Sequence, residues 1–370
     1  MTIQLGDSDG QQSIVVIDDD GDLLHKLATG LRENLAEEGV EVRTWRPSAD
    51  QDPRAEFDGL VDAGTTLVIT DYDLTRNGLT GLFGLSIVSW CQARLIPVGD
   101  FSRGQASTLP HEPNLFELRI PTSLDKAIAV GSNAFRGFRD LRAELANDAV
   151  QLELLRSPAE ALSVALGRPH LEGQFALYMS RLSASNSSLL DRIRTATTPS
   201  TPGPDKAQLL VYVIGHVLHN AVLRYPGPLL SQSALDAFCA TRHEEDLALA
   251  EVFATAVYTG PFSSSGPYYW REDVNQVMDQ RASTISDELY DSIGEYNRAV
   301  VEGVVQRPLA RHSCSRCGGL NGGYYCPLTD RPVCERPDCS IAANSWIPAG
   351  ADLCRIERDF YDEWSPLLGL

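Results

Sequence analysis

The chain has 370 residues, 43% of them hydrophobic and 22% charged, an ordinary globular composition that excludes wholesale disorder. Against 50 Asp and Glu there are 31 Lys and Arg, which gives a formal net charge of −19. A surface this acidic repels phosphate backbones and disfavours nucleic acid as a partner. No apolar run reaches the roughly 18 residues that a membrane-spanning helix needs. The polar, acidic residues 1–12 lack the basic start and apolar segment of a signal peptide. We therefore expect a cytoplasmic protein with no membrane partner.

Residues 1–125 alternate between strand-like and helix-like segments. Residues 14–17 are a continuous apolar run of strand length, followed by Leu24, Leu27, Leu31 and Leu35 at helical spacing and a stop at Gly39. Val40, Val42 and Thr44 alternate as a strand does. Residues 67–69 form a third strand and 82–90 an apolar helix, while 95–98 and 115–120 complete a five-strand series. The pattern predicts a doubly wound parallel α/β sheet with helices on both faces and functional groups at the carboxyl ends of its strands. Residues 126–307 read as an all-α domain, interrupted by a Pro/Ser/Thr loop at 195–205. Residues 308–370 hold a small cysteine-rich module and an acidic, aromatic tail, so the whole chain is expected to be multidomain.

Asp18, Asp19 and Asp20 follow the first strand, and Asp71 lies at the exit of the third. A single acid after a strand is ordinary helix-start chemistry. Two such groups on neighbouring strands bring several carboxylates to one sheet edge. Their repulsion calls for a cation, and an all-oxygen set of this kind suits Mg²⁺.

These residues resemble the receiver domain of two-component response regulators, over roughly the first third of the chain. Val16-Ile17-Asp18-Asp19 looks like the family's acidic pair, and Asp71-Tyr72-Asp73-Leu74-Thr75 looks like its phosphoacceptor segment. The resemblance implies a receiver, or flavodoxin-like, fold, with Asp71 as phosphoacceptor and Asp18, Asp19 and Asp71 as Mg²⁺ ligands. It also implies Ser102 as the switch hydroxyl and a histidine kinase as partner. One departure stands out: the family carries Lys before a Pro at the end of its last strand, and here Ile120 precedes Pro121. Arg119 is the candidate substitute phosphate sensor, although strand alternation points it to the opposite face.

Of the 8 cysteines, Cys91 and Cys239 sit in helix-like apolar patterns and read as buried hydrophobes. Five others crowd into His312-Ser-Cys314-Ser-Arg-Cys317-x₈-Cys326-x₇-Cys334-x₄-Cys339. In a reducing compartment such crowding argues for metal. The Cys-x₂-Cys turn, with Gly318-Gly319 behind it, lets two thiolates reach one tetrahedral ion. The spacing is loosely similar to cross-brace zinc fingers. We assign Cys314, Cys317, Cys334 and Cys339 to a structural Zn²⁺, with Cys326 the alternative ligand and Cys354 buried. Redox thiols remain a second reading.

Weaker signals are read as structural. His216 and His219 share a helix face without a third ligand, and Arg242-His243-Glu244-Glu245 reads as a solvated helix start. The aromatics around residues 258–271 are read as core or interface. Together these features predict a signalling protein of response-regulator type that accepts a phosphoryl group on Asp71. It relays that state through helical and zinc-binding regions to a protein partner. Homo-oligomer formation is left open. The competing readings are an adaptor with a degenerate, non-phosphorylated receiver, and an enzyme with an unrecognised site in the helical region.

Overall fold

The computed structural model describes residues 11–75, 81–101, 115–147, 151–179, 189, 191, 193, 206–282, 290, 292–320, 323–342 and 346–365. The chain divides into two compact units. One comprises Met1–Gly167, Ser188–His216 and Gly260–Ser265; the other comprises Arg168–Ser187, Val217–Thr259 and Gly266–Leu370.

The first unit is built on the expected five-stranded parallel sheet. Its strands are β1 (Ser13–Ile17), β2 (Glu41–Trp45), β3 (Thr65–Asp71), β4 (Val98–Phe101) and β5 (Leu118–Ile120), in the order β2-β1-β3-β4-β5. That is the order a receiver-like sheet requires. β1 pairs on either side with β2 and β3, so the connections on its two sides run in opposite directions, and functional groups in such sheets gather at this switch point, at the carboxyl ends of the strands.

Both faces of the sheet are covered, which explains the unbroken apolar runs. Val15, Ile17, Val68 and Val98 pack with Phe57 of α2 (Pro53–Leu60) and with Ile87, Val88 and Cys91 of α3 (Gly84–Ala93). The opposite face takes α1 (Gly21–Asn34) and α4 (Leu124–Ala146). There Gly131 lets α4 approach closely, because a Cβ at that position would press on Ile69 and Leu31. Capping is local: the Asp20 side chain accepts from the amides of Asp22 and Leu23, and Asp52 accepts from Arg54 just after Pro53 at the start of α2.

The fourth strand begins later than its apolar run suggests. Leu95 sits at φ +56, which closes a turn after α3, so pairing starts at Val98 rather than Leu95. Likewise β5 is confined to Leu118–Ile120.

In the second unit, Leu230, Leu235, Phe238, Leu249, Phe253, Val274, Val300 and Val301 form an apolar core. Tyr325 and Leu353, from the cysteine-rich segment, belong to the same cluster. The stretch read as all-α also contains an antiparallel strand pair, Leu229–Ser231 with Tyr268–Trp270. The breaker Pro226-Gly227-Pro228 and the strand-forming Tyr268-Tyr269-Trp270 account for that departure. Helices in the same stretch run over Arg271–Arg281 and Ile293–Val305. No helix among the described residues is long and apolar enough to cross a membrane.

A buried acid marks this core. Asp236 is 8% exposed; it accepts from the Gln232 amide at 3.0 Å, and Gln232 in turn accepts from the Tyr269 hydroxyl at 2.9 Å. Burial pushes the Asp236 carboxyl up to about 7, and the neighbouring Asp246 adds to the shift. The folded chain therefore keeps a proton that the unfolded chain loses near the ordinary aspartate value of 3.8. This contribution to stability is complete below that value and is lost as pH rises toward 7. Thermal melts should show wild type losing several degrees more than Asp236→Asn between pH 4 and 7. Parallel pH profiles for the two proteins would contradict the assignment.

Candidate functional site

The carboxyl edge of the sheet gathers acids because of the register. Ile17 of β1 lies beside Thr70 of β3, so the next residues on both strands, Asp18 and Asp71, emerge together. The Asp18 amide bonds the Trp45 carbonyl at 3.3 Å, and its Oδ1 accepts from the Asp20 amide at 2.7 Å. Arg46 donates through Nε to the Asp19 carbonyl at 3.1 Å. Beyond β3, the Gly84 amide bonds the Tyr72 carbonyl at 2.8 Å. Any Cβ at Gly84 would run into the Asp71 carbonyl, so only glycine fits where α3 meets the strand exit.

The outcome is a cluster of buried acids. Asp18 and Asp19 are each 2% exposed and Asp71 4%, and their carboxylate oxygens lie within 4.8 Å of one another. At an effective dielectric of about 20, each such pair repels by on the order of 3 kcal/mol. An oxygen-seeking cation such as Mg²⁺ fits this donor set. Asp20, the third acid of the run, is spent on capping α1 instead.

Asp100, on β4, was not singled out by the motif reading. Burial pushes its carboxyl up to about 7, with further contributions from Glu117 and Asp71. The signal in the sequence was only a charged residue inside an apolar strand.

The remaining receiver positions are placed as follows. Asp71 pairs in register with Phe101, and Phe101 with Ile120. Ile120 is 3% exposed and packs over Gly99, whereas Arg119 is exposed and shares its register with Asp100 and Thr70. The position in line with Asp71 on β5 is thus apolar. Ser102, the expected switch hydroxyl, lies outside the described residues.

The second grouping is of sulfur. The Sγ atoms of Cys314, Cys317, Cys334 and Cys339 lie within 4.8 Å of one another, and Cys317 Sγ is 3.8 Å from Cys334 Sγ. A tetrahedral zinc site with Zn–S of about 2.3 Å has S···S edges of about 3.8 Å, so these four thiols can hold a metal such as zinc. The knuckle is built by backbone bonds. Cys314 and Gly318 or Gly319 exchange N–H···O bonds at 2.8–3.0 Å, Gly318 takes φ +65, and the Gly319 amide donates to Cys317 Sγ at 3.3 Å. That amide holds the Cys317 thiol down to about 7, predisposing it to ligate as thiolate.

Cys334 follows the hairpin Tyr324–Cys326/Arg331–Val333, and its carbonyl accepts from Ser340 Oγ at 2.6 Å. Cys326, the alternative ligand, is elsewhere: it is fully buried, and its sulfur accepts from the Glu357 amide at 3.3 Å. Cys354 is buried against the Pro226 carbonyl.

The weaker motifs resolve into structural roles. Glu245 accepts from the Ala310 amide at 2.9 Å and from Arg307 at 2.6 Å. His216 Nδ1 donates to the Tyr212 carbonyl at 2.7 Å, and His219 Nδ1 bonds Asn220 Oδ1 at 2.9 Å.

Comparisons with family models, curated proteins and solved structures find no match to this chain. Assignment therefore rests on the two clusters. The geometry predicts that Cys334→Ser lowers the bound metal measured by elemental analysis while Cys326→Ser leaves it unchanged. Equal loss in both variants would overturn the four-sulfur set.

Proposed function

We propose that the first unit is a phosphoacceptor module of response-regulator type that receives a phosphoryl group on Asp71 from a partner histidine kinase. The observation that carries this reading is the convergence of Asp18, Asp19 and Asp71 within 4.8 Å at the carboxyl edge of a parallel sheet ordered β2-β1-β3-β4-β5. In the transfer, an Asp71 carboxylate oxygen attacks phosphorus and forms an O–P bond. The N–P bond of the phosphohistidine breaks, and the imidazole leaves with the electron pair and takes a proton from solvent. Mg²⁺, held by Asp18, Asp19 and Asp71, would offset charge on the transferring group. Asp18 and Asp19 keep the site anionic and cation-seeking; their burial and the adjoining α1 cap fix them before any donor arrives.

Zn²⁺ on Cys314, Cys317, Cys334 and Cys339 is structural in this reading. Four thiolates leave no open coordination position. The output partner is a protein rather than nucleic acid. Four basic residues near the cysteines are engaged by carboxylates: Arg307 with Glu245 at 2.6 Å, Arg311 with Glu295 at 3.6 Å, Arg331 with Glu357 at 3.7 Å, and Arg316 with Asp359. On a chain of net charge −19, pairs like these leave little for a phosphate backbone.

The apolar Ile120 in line with Asp71 favours a second reading, in which the module docks without being phosphorylated. Intact-mass measurement decides between them. With Mg²⁺ and acetyl phosphate or the partner kinase, wild type should gain one labile phosphoryl adduct, and Asp71→Asn should gain none. Absence of any adduct on wild type, kinase included, would establish the docking reading.

A further inference from the structure

The helix Lys206–Val217 belongs to the first unit up to His216 and packs at the β5 side of its sheet. The Tyr212 ring stacks on Phe116, with centroids 5.2 Å apart and planes 10° from parallel. Phe116 stands two residues before β5. Gln208 donates to the Arg94 carbonyl at 3.1 Å, at the end of α3 and just ahead of β4. Gly215 lies against Phe138 and Leu141 of α4, where a Cβ would collide with the phenylalanine ring. One helix therefore holds the segments that lead into both β4 and β5.

The sheet register joins that packing to the acidic edge. Asp71 at the end of β3 pairs with Phe101 of β4, and Phe101 with Ile120 of β5, the strand that Phe116 leads into. Along β5 the position in register with Asp71 is Ile120, which cannot absorb new negative charge. A phosphoryl group adds a charge of about −1.5 to −2 at Asp71, next to groups that already repel one another. Displacement of the β4–β5 edge would carry that charge away from its neighbours. The packing above is not fully satisfied either: Tyr212 is 2% exposed and its hydroxyl has no hydrogen-bond partner among the described residues.

We propose that the helix Lys206–Val217 is the element that reads the phosphorylation state of Asp71, packed on Phe116 and α4 when Asp71 is unmodified and released when it is phosphorylated. The proposal rests on the phosphoacceptor reading and names how that site is regulated. The chain leaves the first unit within this same helix, at His216–Val217, and continues as a π-helical turn, Leu218–Val222. Turns of that type are rare and recur at functional positions. A loosened helix would thus pass its change on through the chain itself.

The test is hydrogen–deuterium exchange on the full chain in Mg²⁺, with and without beryllium fluoride, a phosphoryl mimic that binds aspartate. Amides of 206–217 should exchange about fivefold faster or more with the fluoride, and Asp71→Asn should not respond. Gln208→Ala and Phe116→Leu should exchange faster at 206–217 without fluoride, the milder first variant guarding against misfolding in the second. If exchange at 72–75 and 98–101 responds while 206–217 stays unchanged or slows, the proposal fails and the phosphoacceptor reading survives. If no amide in the first unit responds, the phosphoacceptor reading fails and takes the proposal with it.

Discussion

Repulsion among three buried carboxylates is the constraint around which the first unit is organised. Asp18, Asp19 and Asp71 are all but shielded from water, and their oxygens approach within 4.8 Å. Taking such a cluster out of water costs several kcal/mol per ion unless partners offset the charge. What holds it in place is backbone: parallel pairing of β1 with β3, the bond from the Asp18 amide to the end of β2, and the close approach of Gly84 to the exit of β3. The fold supplies a geometry in which a cation such as Mg²⁺ could offset that repulsion.

The second unit manages its polar groups differently. Arg298, only 6% exposed, is held by Glu295 at 2.5 Å and by Glu302, and Glu245 by the Ala310 amide and Arg307. There the charges are matched within the chain. The thiol cluster is not, and it couples to folding directly, since residues flanking it, Tyr325 and Leu353, share the unit's apolar core. Metal held by the four sulfurs would thereby support more than its own loop.

Much of this was legible in the residues. The sheet could be read because buried parallel strands are unbroken apolar runs and their helices carry Leu at helical spacing. The acidic edge could be read because its members immediately follow those runs. The four-cysteine set followed from a Cys-x₂-Cys turn with glycines behind it. Other features were hidden for physical reasons. The start of β4 depends on a left-handed Leu95, which no propensity favours. Asp100 matters through what surrounds it, and a lone acid in a strand carries no pattern. The role of the segment 206–217 depends on Tyr212 meeting Phe116, a contact between residues 96 apart in sequence that periodicity cannot foresee.

Cation binding at the acidic edge tests the account most directly, because everything proposed for Asp71 depends on it. Manganese(II) titration of the full chain, followed by electron paramagnetic resonance, reads that binding without any phosphodonor. Wild type should bind one Mn²⁺ that Mg²⁺ displaces, and Asp19→Asn should bind it about tenfold or more weakly with an unchanged content of cysteine-bound metal. A wild-type chain that leaves Mn²⁺ free in solution, or an Asp19→Asn chain that binds it as tightly as wild type, would contradict the account.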